Sequence, residues 1–378
     1  MIIAKIICRI RSFFRFSFDQ RKRILVVKDD GLGDVIKWLP YGKLLREKFP
    51  ADQYKIFMLV QKHSFDLCVY AGCADKVIAL PAERKRFSWL LYRLKFWLFY
   101  RFDRIYIVTA FQNDMIFPYG KSTVKVALHK KKDSYLYKLS DCCETIIYCD
   151  GMSVHQYYQE IMKNLGIDEV PGSCDYSGFA NTAEEEGDPQ KPFCVVCPGA
   201  SASERCWEEG KFVSLIDKLI SEFGISVVLV GNAMEWEKCE RIRKSCREPA
   251  EIFNMSGKTS LSRLWGLISR SRFWISNETG TCHLGTLSGI PGVIICGQGD
   301  YGTFVPYPSD REGFDVFSVF ASEKCSCSPC RWHRDICKSE VVARCVANIT
   351  VEQVFQTVSG QLINSKRVVL HDLSPAGR

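Results

Sequence analysis

No stretch of the chain reaches the roughly 18 uncharged apolar residues that a membrane-crossing helix needs. A secretory leader at the start is the weaker reading, and none is expected. The apolar positions of MIIAKIICRIRSFFRFSFDQ are interrupted by Lys5, Arg9, Arg11 and Arg15, and no small-x-small cleavage site follows. Two nucleotide fingerprints are absent. The glycine turn at Gly31 and Gly33 lacks the third glycine of the dinucleotide signature, and no Gly-Lys-Ser/Thr of a P-loop follows. This leaves an NAD- or ATP-dependent enzyme without sequence support. With no zinc-finger spacing and no RNA-binding aromatic signature, the net charge of +8 does not mark a nucleic-acid binder. The excess sits in the first 23 residues and around Arg84 to Arg101, which points to anionic surfaces or substrates.

What is present describes an ordinary globular protein. A chain of 378 residues is long enough for two cores, and 47% hydrophobic with 25% charged residues suits a soluble fold. The 19 cysteines are odd in number and scattered. Without a leader the compartment reads as reducing, cytoplasmic, and most of the thiols as small buried apolar groups.

The first strand, residues 24–27, runs into Lys28-Asp29-Asp30-Gly31-Leu32-Gly33-Asp34 and then a helix to about Lys48. Small residues after a strand permit a tight turn and close approach of a ligand. Asp34 either serves chemistry there or caps a helix from Val35. Further strands are expected at 54–60, 76–80, 104–108, 124–128 and 145–148, with a helix over 154–165. This alternation predicts a mostly parallel sheet covered on both faces. A polar stretch rich in Gly, Pro, Asp and Glu then reads as a boundary, with a linker at 181–192. A second set of strands follows at 193–197, 226–230, 251–254, 273–276 and 293–296. The expected layout is a basic segment 1–21, domains at 22–180 and 193–345, and a C-terminal segment 346–378. Two Rossmann-like α/β domains imply a cleft between them for a ligand.

The second domain centres on FWISNETGTCHLGTLSGIP, from Phe273 to Pro291. A buried strand turns at Asn277, Glu278, Thr279 and Gly280 into a helix that Thr281 caps and Gly289 ends. Free N–H groups at that helix start suit a phosphate, with Gly280 allowing approach and Thr279 or Thr281 adding a hydroxyl. Glu278 suits sugar or ribose hydroxyls. A merely structural strand–turn–helix is the alternative. Gly199, Ser201 and Ser203 form a small, hydroxyl-rich loop after the 193–197 strand, with Arg205 close behind.

Two segments, 1–20 and 84–102, mix Arg and Lys with Phe, Trp and Tyr, as an interfacial helix on an anionic membrane would. Packing on the protein's own body is the other reading. Cys325, Cys327, Cys330 and Cys337, in the loop 325–337, match the donor count of a tetrahedral Zn or Fe site, although C-x-C strains chelation. Free thiols and a disulfide remain open. Thr350 and Gln353 form a capping box for a last helix.

Taken together, these blocks resemble glycosyltransferase family 9, the ADP-heptose:lipopolysaccharide heptosyltransferases and relatives. The blocks are the strand with G-x-G-D and Pro40; Pro-Gly-Ala followed by a basic residue and Trp207; Ser256-Gly257-Lys258-Thr259-Ser260-Leu261; and the E-T-G-x-x-H block with Gly289 and Pro291. The resemblance spans roughly residues 22 to 360. It implies a GT-B fold, two Rossmann-like domains facing each other across a cleft, the acceptor on the first and the sugar nucleotide mainly on the second. It also implies inversion without a catalytic metal, a nucleoside-diphosphate sugar such as ADP-heptose, and a glycan, glycolipid or protein acceptor at the inner face of the cytoplasmic membrane. Asp34 then corresponds to the general base, and Arg205 falls where the family usually has Lys. Glu278 replaces the usual Asp, while Thr279, Gly280 and His283 match the phosphate-binding turn. Lys28 is followed by Asp29-Asp30 instead of small hydroxyl residues, which adds carboxylates on the acceptor side. A catalytically inactive sugar- or nucleotide-binding protein of the same fold is the alternative. C-terminal helices of GT-B proteins often cross back to the first domain.

Overall fold

The computed structural model describes residues 19–80, 102–109, 123–129, 143–148, 152–171, 177–183, 185–301, 303–305, 316–319 and 344–364. The chain forms two compact units, Met1–Gly172 and Ser173–Arg378. The basic aromatic segments at 1–18 and 81–101 and the cysteine loop 325–337 lie outside the described residues.

In the first unit, β1 (Lys22–Lys28), β2 (Tyr54–Val60), β3 (Lys76–Ala79), β4 (Arg104–Ile107), β5 (Thr123–His129) and β6 (Cys143–Tyr148) form one sheet in the order β3-β2-β1-β4-β5-β6. Every pairing is parallel. A parallel strand covered on both faces needs a continuous apolar run instead of alternation, and Ile24 to Val27 is such a run, wholly buried. Val26 stands opposite Met58 on one side and Tyr106 on the other. Helices α1 (Leu32–Lys48), α2 (Phe65–Ala71) and α3 (Val154–Asn164) belong to this unit. Trp38 and Tyr41 of α1 meet Tyr158 of α3 at ring separations of 5.1 and 5.2 Å.

The second unit repeats the plan. Strands β7 (Phe193–Cys197), β8 (Ser226–Leu229), β9 (Ile252–Asn254), β10 (Trp274–Asn277), β11 (Gly292–Ile295) and β12 (Val316–Val319) are ordered β12-β11-β10-β7-β8-β9, again all parallel. Their helices are α4 (Glu209–Phe223), α5 (Trp236–Ser245), α6 (Leu261–Arg270), α7 (Gly280–Leu287), α8 (Arg344–Ala347) and α9 (Val351–Asn364). In each sheet the winding starts at the centre, goes one way for three strands, and returns to continue on the other side. The chain direction therefore reverses beside β1 and β4, and again beside β7 and β10. Such switch points open a crevice at the carboxyl ends of the strands.

Four details differ from the sequence reading. Strand β12 was not anticipated. The 181–192 stretch is no free linker, because Asn181 N–H bonds Ser262 O at 2.9 Å and buried Asp188 pairs with Arg263 and Arg270, so it packs with the second unit. Helix α1 starts at Leu32 with Gly31 as its cap, which places Asp34 in the first turn and removes its capping role. Helix α7 is capped by Thr279 instead of Thr281, and Gly289 (φ +68°) follows its end as expected. The predicted box on α9 is present, with Thr350 N–H to Gln353 Oε1 at 2.8 Å and Gln353 N–H to Thr350 Oγ1 at 3.2 Å. Val354, Phe355 and Val358 of that helix join the second unit's own core with Leu215 and Leu219 of α4.

Candidate active site

At the β1–β4 switch point the chain concentrates charge where the sheet is otherwise dry. Lys28 and Asp30 are buried and ion-paired, and the ammonium also donates to Val108 O at 3.2 Å beyond β4. It lies 4.9 Å from the Tyr158 ring centroid. The other Asp30 oxygen accepts from the Thr109 hydroxyl. Burial pushes the Asp30 carboxyl up to about 6; the Lys28 charge opposes this only partly, and Asp34 adds to it. Asp29 is buried, and its carbonyl accepts from Gln61 Nε2 at 2.9 Å. The turn is thereby stitched to its neighbours by the Asp30 carboxylate and the Asp29 backbone carbonyl.

Next comes Asp34. Its N–H bonds Gly31 O at 3.1 Å and its carbonyl receives the Tyr158 hydroxyl at 3.1 Å, so the backbone is held from both sides. The side chain is 16% exposed, and Lys37 Nζ lies 3.9 Å from Oδ1. That oxygen accepts no hydrogen bond among the described residues. A Cβ added at Gly31 would meet nothing within 4 Å, so the approach to this turn is open. Gly33 is buried in the first turn of α1.

In the second unit the loop after β7 is bolted to the end of β10. Asn277 Nδ2 donates to Pro198 O at 2.9 Å while its Oδ1 accepts the Trp207 N–H at 3.2 Å. Trp207 is buried, donates from Nε1 to Ile349 O at 2.9 Å and packs edge-on against Phe212. Its role is to hold the loop. Ser201 and Ser203 are exposed on that loop.

Arg205 turns toward the β10 carboxylate. Its Nη1 is 3.0 Å from Glu278 Oε2 and its Nη2 is 3.6 Å from Asp300 Oδ1. Phe304 lies with its ring centroid 5.7 Å from the guanidinium carbon. The second Glu278 oxygen meets His283 Nε2 at 2.8 Å. Glu278, His283 and Asp300 are buried, while the Arg205 side chain keeps 20% exposure. Arg205, Glu278 and His283 thus come together as one chain of charge-assisted contacts. Thr279, Gly280 and Thr281, the start of α7, are half-buried beside it. Burial pushes the Cys197 thiol up to about 12, with the hydroxyls of Thr281 and Ser276 beside it.

Two carboxylates escaped the sequence reading. Glu235 lies over the carboxyl ends of β7 and β8, close enough that a Cβ on Gly199 would sit 1.8 Å from its Oε1 and one on Gly231 2.6 Å from its Oε2. Gly199 is therefore required by Glu235. The signal was an Asn232–Glu235 capping pair, with Asn232 N–H to Glu235 Oε2 at 2.7 Å. Asp300 follows β11 in Gly297-Gln298-Gly299-Asp300, a glycine turn after a strand, which was the available cue. Ligand atoms of Glu278, Cys282 and His283 lie within 4.8 Å of one another, a grouping that could hold a metal. Both Glu278 oxygens already serve Arg205 and His283, however, so a cation there would have to displace a guanidinium. Cys325, Cys327, Cys330 and Cys337 lie outside the described residues.

Two doubly wound parallel sheets with flanking helices, in separate units each bearing charged residues at its switch point, define a GT-B-like α/β protein. The model of glycosyltransferase family 9 (heptosyltransferase) matches residues 147–331 of the chain. Lipooligosaccharide heptosyltransferase 2 of Haemophilus influenzae is 28% identical over 111 residues, 29% of this chain and 32% of that protein. The match thus spans about a third of the curated relative. In fold, the chain is similar to the family 9 glycosyl transferase of Veillonella parvula, with a TM-score of 0.67, 17% identity, and coverage of 92% of this chain and 99% of that one. It is also similar to the ADP-heptose lps heptosyltransferase II of E. coli, with a TM-score of 0.64, 18% identity, and 90% and 98% coverage.

Proposed function

We propose that the protein is an inverting glycosyltransferase that moves a sugar from a nucleoside-diphosphate donor to a saccharide, lipopolysaccharide-like or protein acceptor. Heptose carried on ADP is the donor that the names of its relatives suggest. The observation that carries the reading is Asp34. It is a carboxylate at the β1–β4 switch point, with its side chain 16% exposed, on a turn open to approach.

In this mechanism Asp34 takes the proton of an acceptor hydroxyl as its oxygen attacks the anomeric carbon. Attack in line with the departing diphosphate inverts that carbon. Charge grows on the leaving diphosphate, and Arg205 with the free N–H groups at the start of α7 stabilises it. Gly280 permits close approach, and the hydroxyls of Ser201, Ser203, Thr279 and Thr281 supply further donors. Glu278, itself bonded to His283, holds Arg205. Glu235, over the ends of β7 and β8, suits ribose hydroxyls. Lys28, Asp29 and Asp30 shape the acceptor side.

A second reading, a nucleotide-binding protein without turnover, draws on the Lys28–Asp30 pair, which satisfies itself internally. The two separate in one experiment, transfer from a panel of sugar nucleotides by wild type and by Asp34→Asn. The variant is expected to lose about 10²–10⁴-fold in rate, the usual worth of a positioned base, with donor affinity little changed. Full activity in the variant removes Asp34 from the mechanism. Nucleotide binding with no turnover on any acceptor favours the second reading.

A further inference from the structure

We infer that Asp300 is a positioning residue for the donor diphosphate. Together with Glu278 it makes a two-carboxylate seat that orients the Arg205 guanidinium and limits its net positive charge. In taking the ligand to be a nucleoside diphosphate, the inference rests on the glycosyltransferase reading.

The chain bends to deliver Asp300. Its N–H bonds Gly297 O at 3.1 Å, and its carbonyl accepts the N–H groups of Thr303 and Phe304 at 3.0 and 2.8 Å. This compact turn presents the Asp300 carboxylate and the Phe304 ring to the same guanidinium. A carboxylate buried to this degree is costly unless a cation compensates it. Arg205 lies at ion-pair distance from it, 3.6 Å, and at hydrogen-bond distance from Glu278, 3.0 Å. A guanidinium can do this because its planar fork presents Nη1 and Nη2 to two different partners. A lysine ammonium is a point charge on a flexible stem and would not be held in one plane by them. The arrangement gives arginine at position 205 a physical purpose.

The seat has two effects on an arriving diphosphate. It fixes where the guanidinium protons point, and it places two negative charges close to the cation that the diphosphate must use. Removing one carboxylate while keeping its shape should therefore strengthen anion binding through Arg205 and loosen its orientation. A residue that merely stabilised the fold would do the reverse, weakening binding whether or not Arg205 was present.

The test uses wild type, Asp300→Asn, Arg205→Ala and the double variant, each titrated calorimetrically with ADP and each unfolded thermally without ligand. Asp300→Asn is expected to bind ADP tighter by on the order of threefold to tenfold, the scale of one screened charge at short range, and the gain should vanish in the Arg205→Ala background. The unfolding effects should also be non-additive, because the two side chains are in contact. Additive effects in both measurements, or weaker ADP binding in both backgrounds, overturn the inference. If no nucleoside diphosphate binds wild type while unfolding remains non-additive, the pair is structural, and the donor role of Asp300 falls with the glycosyltransferase reading. Loss of the folded circular-dichroism signal in Asp300→Asn alone would show that the carboxylate serves the fold first, which also overturns the inference.

Discussion

At the scale of single residues, the first unit stores an electrostatic conflict in Asp30. Its carboxyl is raised to about 6, first by burial, against the partial help of Lys28. In an unfolded chain the same group would titrate near ~3.9. The folded state therefore binds the proton more tightly, so the contribution of Asp30 to stability is full below the unfolded value. It is lost as pH rises through about 6. Thermal unfolding of wild type between pH 4 and 7 should show this as a downward slope, and Asp30→Asn should flatten it. The slope is the readout, since the variant also strips Lys28 of a partner and lowers stability at every pH. An unchanged slope would mean that Asp30 is not the titrating group. Side chains of this kind show how much of a site a sequence can disclose. Asp34, Arg205, Glu278 and His283 stood out because each sits at a fixed offset from a glycine or a strand end. Asp300 and Glu235 carried only a glycine turn after a strand and a capping pair, cues shared with many purely structural turns, and their importance comes from what the folded chain brings beside them.

At the scale of elements, most of the strands were legible, because a strand buried on both faces must be a short continuous apolar run. Helix starts were read less well. Both α1 and α7 begin earlier than expected, since the glycine turns before them, at Gly31 and at Thr279–Gly280, already hold helical hydrogen bonding. The stretch at 181–192 misled for a different reason. Its polar composition is that of a linker, yet Asn181 and Asp188 are polar because they bind α6. A Cβ on Gly266 of that helix would lie 1.7 Å from Asn181 O, so the strap rests on bare backbone. Asp188 then anchors the strap through Arg263 and through Arg270 Nη2 at 2.5 Å. Burial raises its carboxyl, but the two guanidiniums outweigh this and hold it below the ordinary range. The pairing thus stabilises the fold above the unfolded carboxylate value and is lost as pH falls through the folded one. Breaking it by Asp188→Ala should cost about 3–5 kcal/mol, the scale for a buried ion pair that loses one member. Denaturant unfolding at neutral pH would read this directly. A loss within experimental error would mean that the strap is held by its backbone alone.

At the scale of the whole molecule, the repeated winding accounts for two doubly wound sheets, and the presentation of an acceptor is a separate question. Among the described residues no helix is long and apolar enough to cross a membrane. The sequence nonetheless concentrates basic and aromatic residues at 1–20 and 84–102, both in the first unit, and has no comparable segment after Pro192. We propose that this unit meets an anionic membrane surface on the cytoplasmic side, as an enzyme extending a membrane-borne glycolipid must, while the sugar nucleotide arrives from solution. Anionic headgroups would attract Lys and Arg at about 1 kcal/mol each near the surface, and Phe87, Trp89, Phe96 and Trp97 supply the apolar part. Because the attraction is Coulombic, salt should shorten its reach to within roughly 8 Å at physiological ionic strength and further above it. Flotation with anionic vesicles should therefore carry the protein at low salt, less of it at high salt, and little with neutral vesicles. Arg93→Glu combined with Lys95→Glu should reduce binding beyond the effect of deleting residues 1–20. If the protein stays behind with anionic vesicles at low salt, the two segments serve contacts within the protein or between subunits. A soluble saccharide or protein then becomes the acceptor that fits, because nothing would bring the first unit to a lipid.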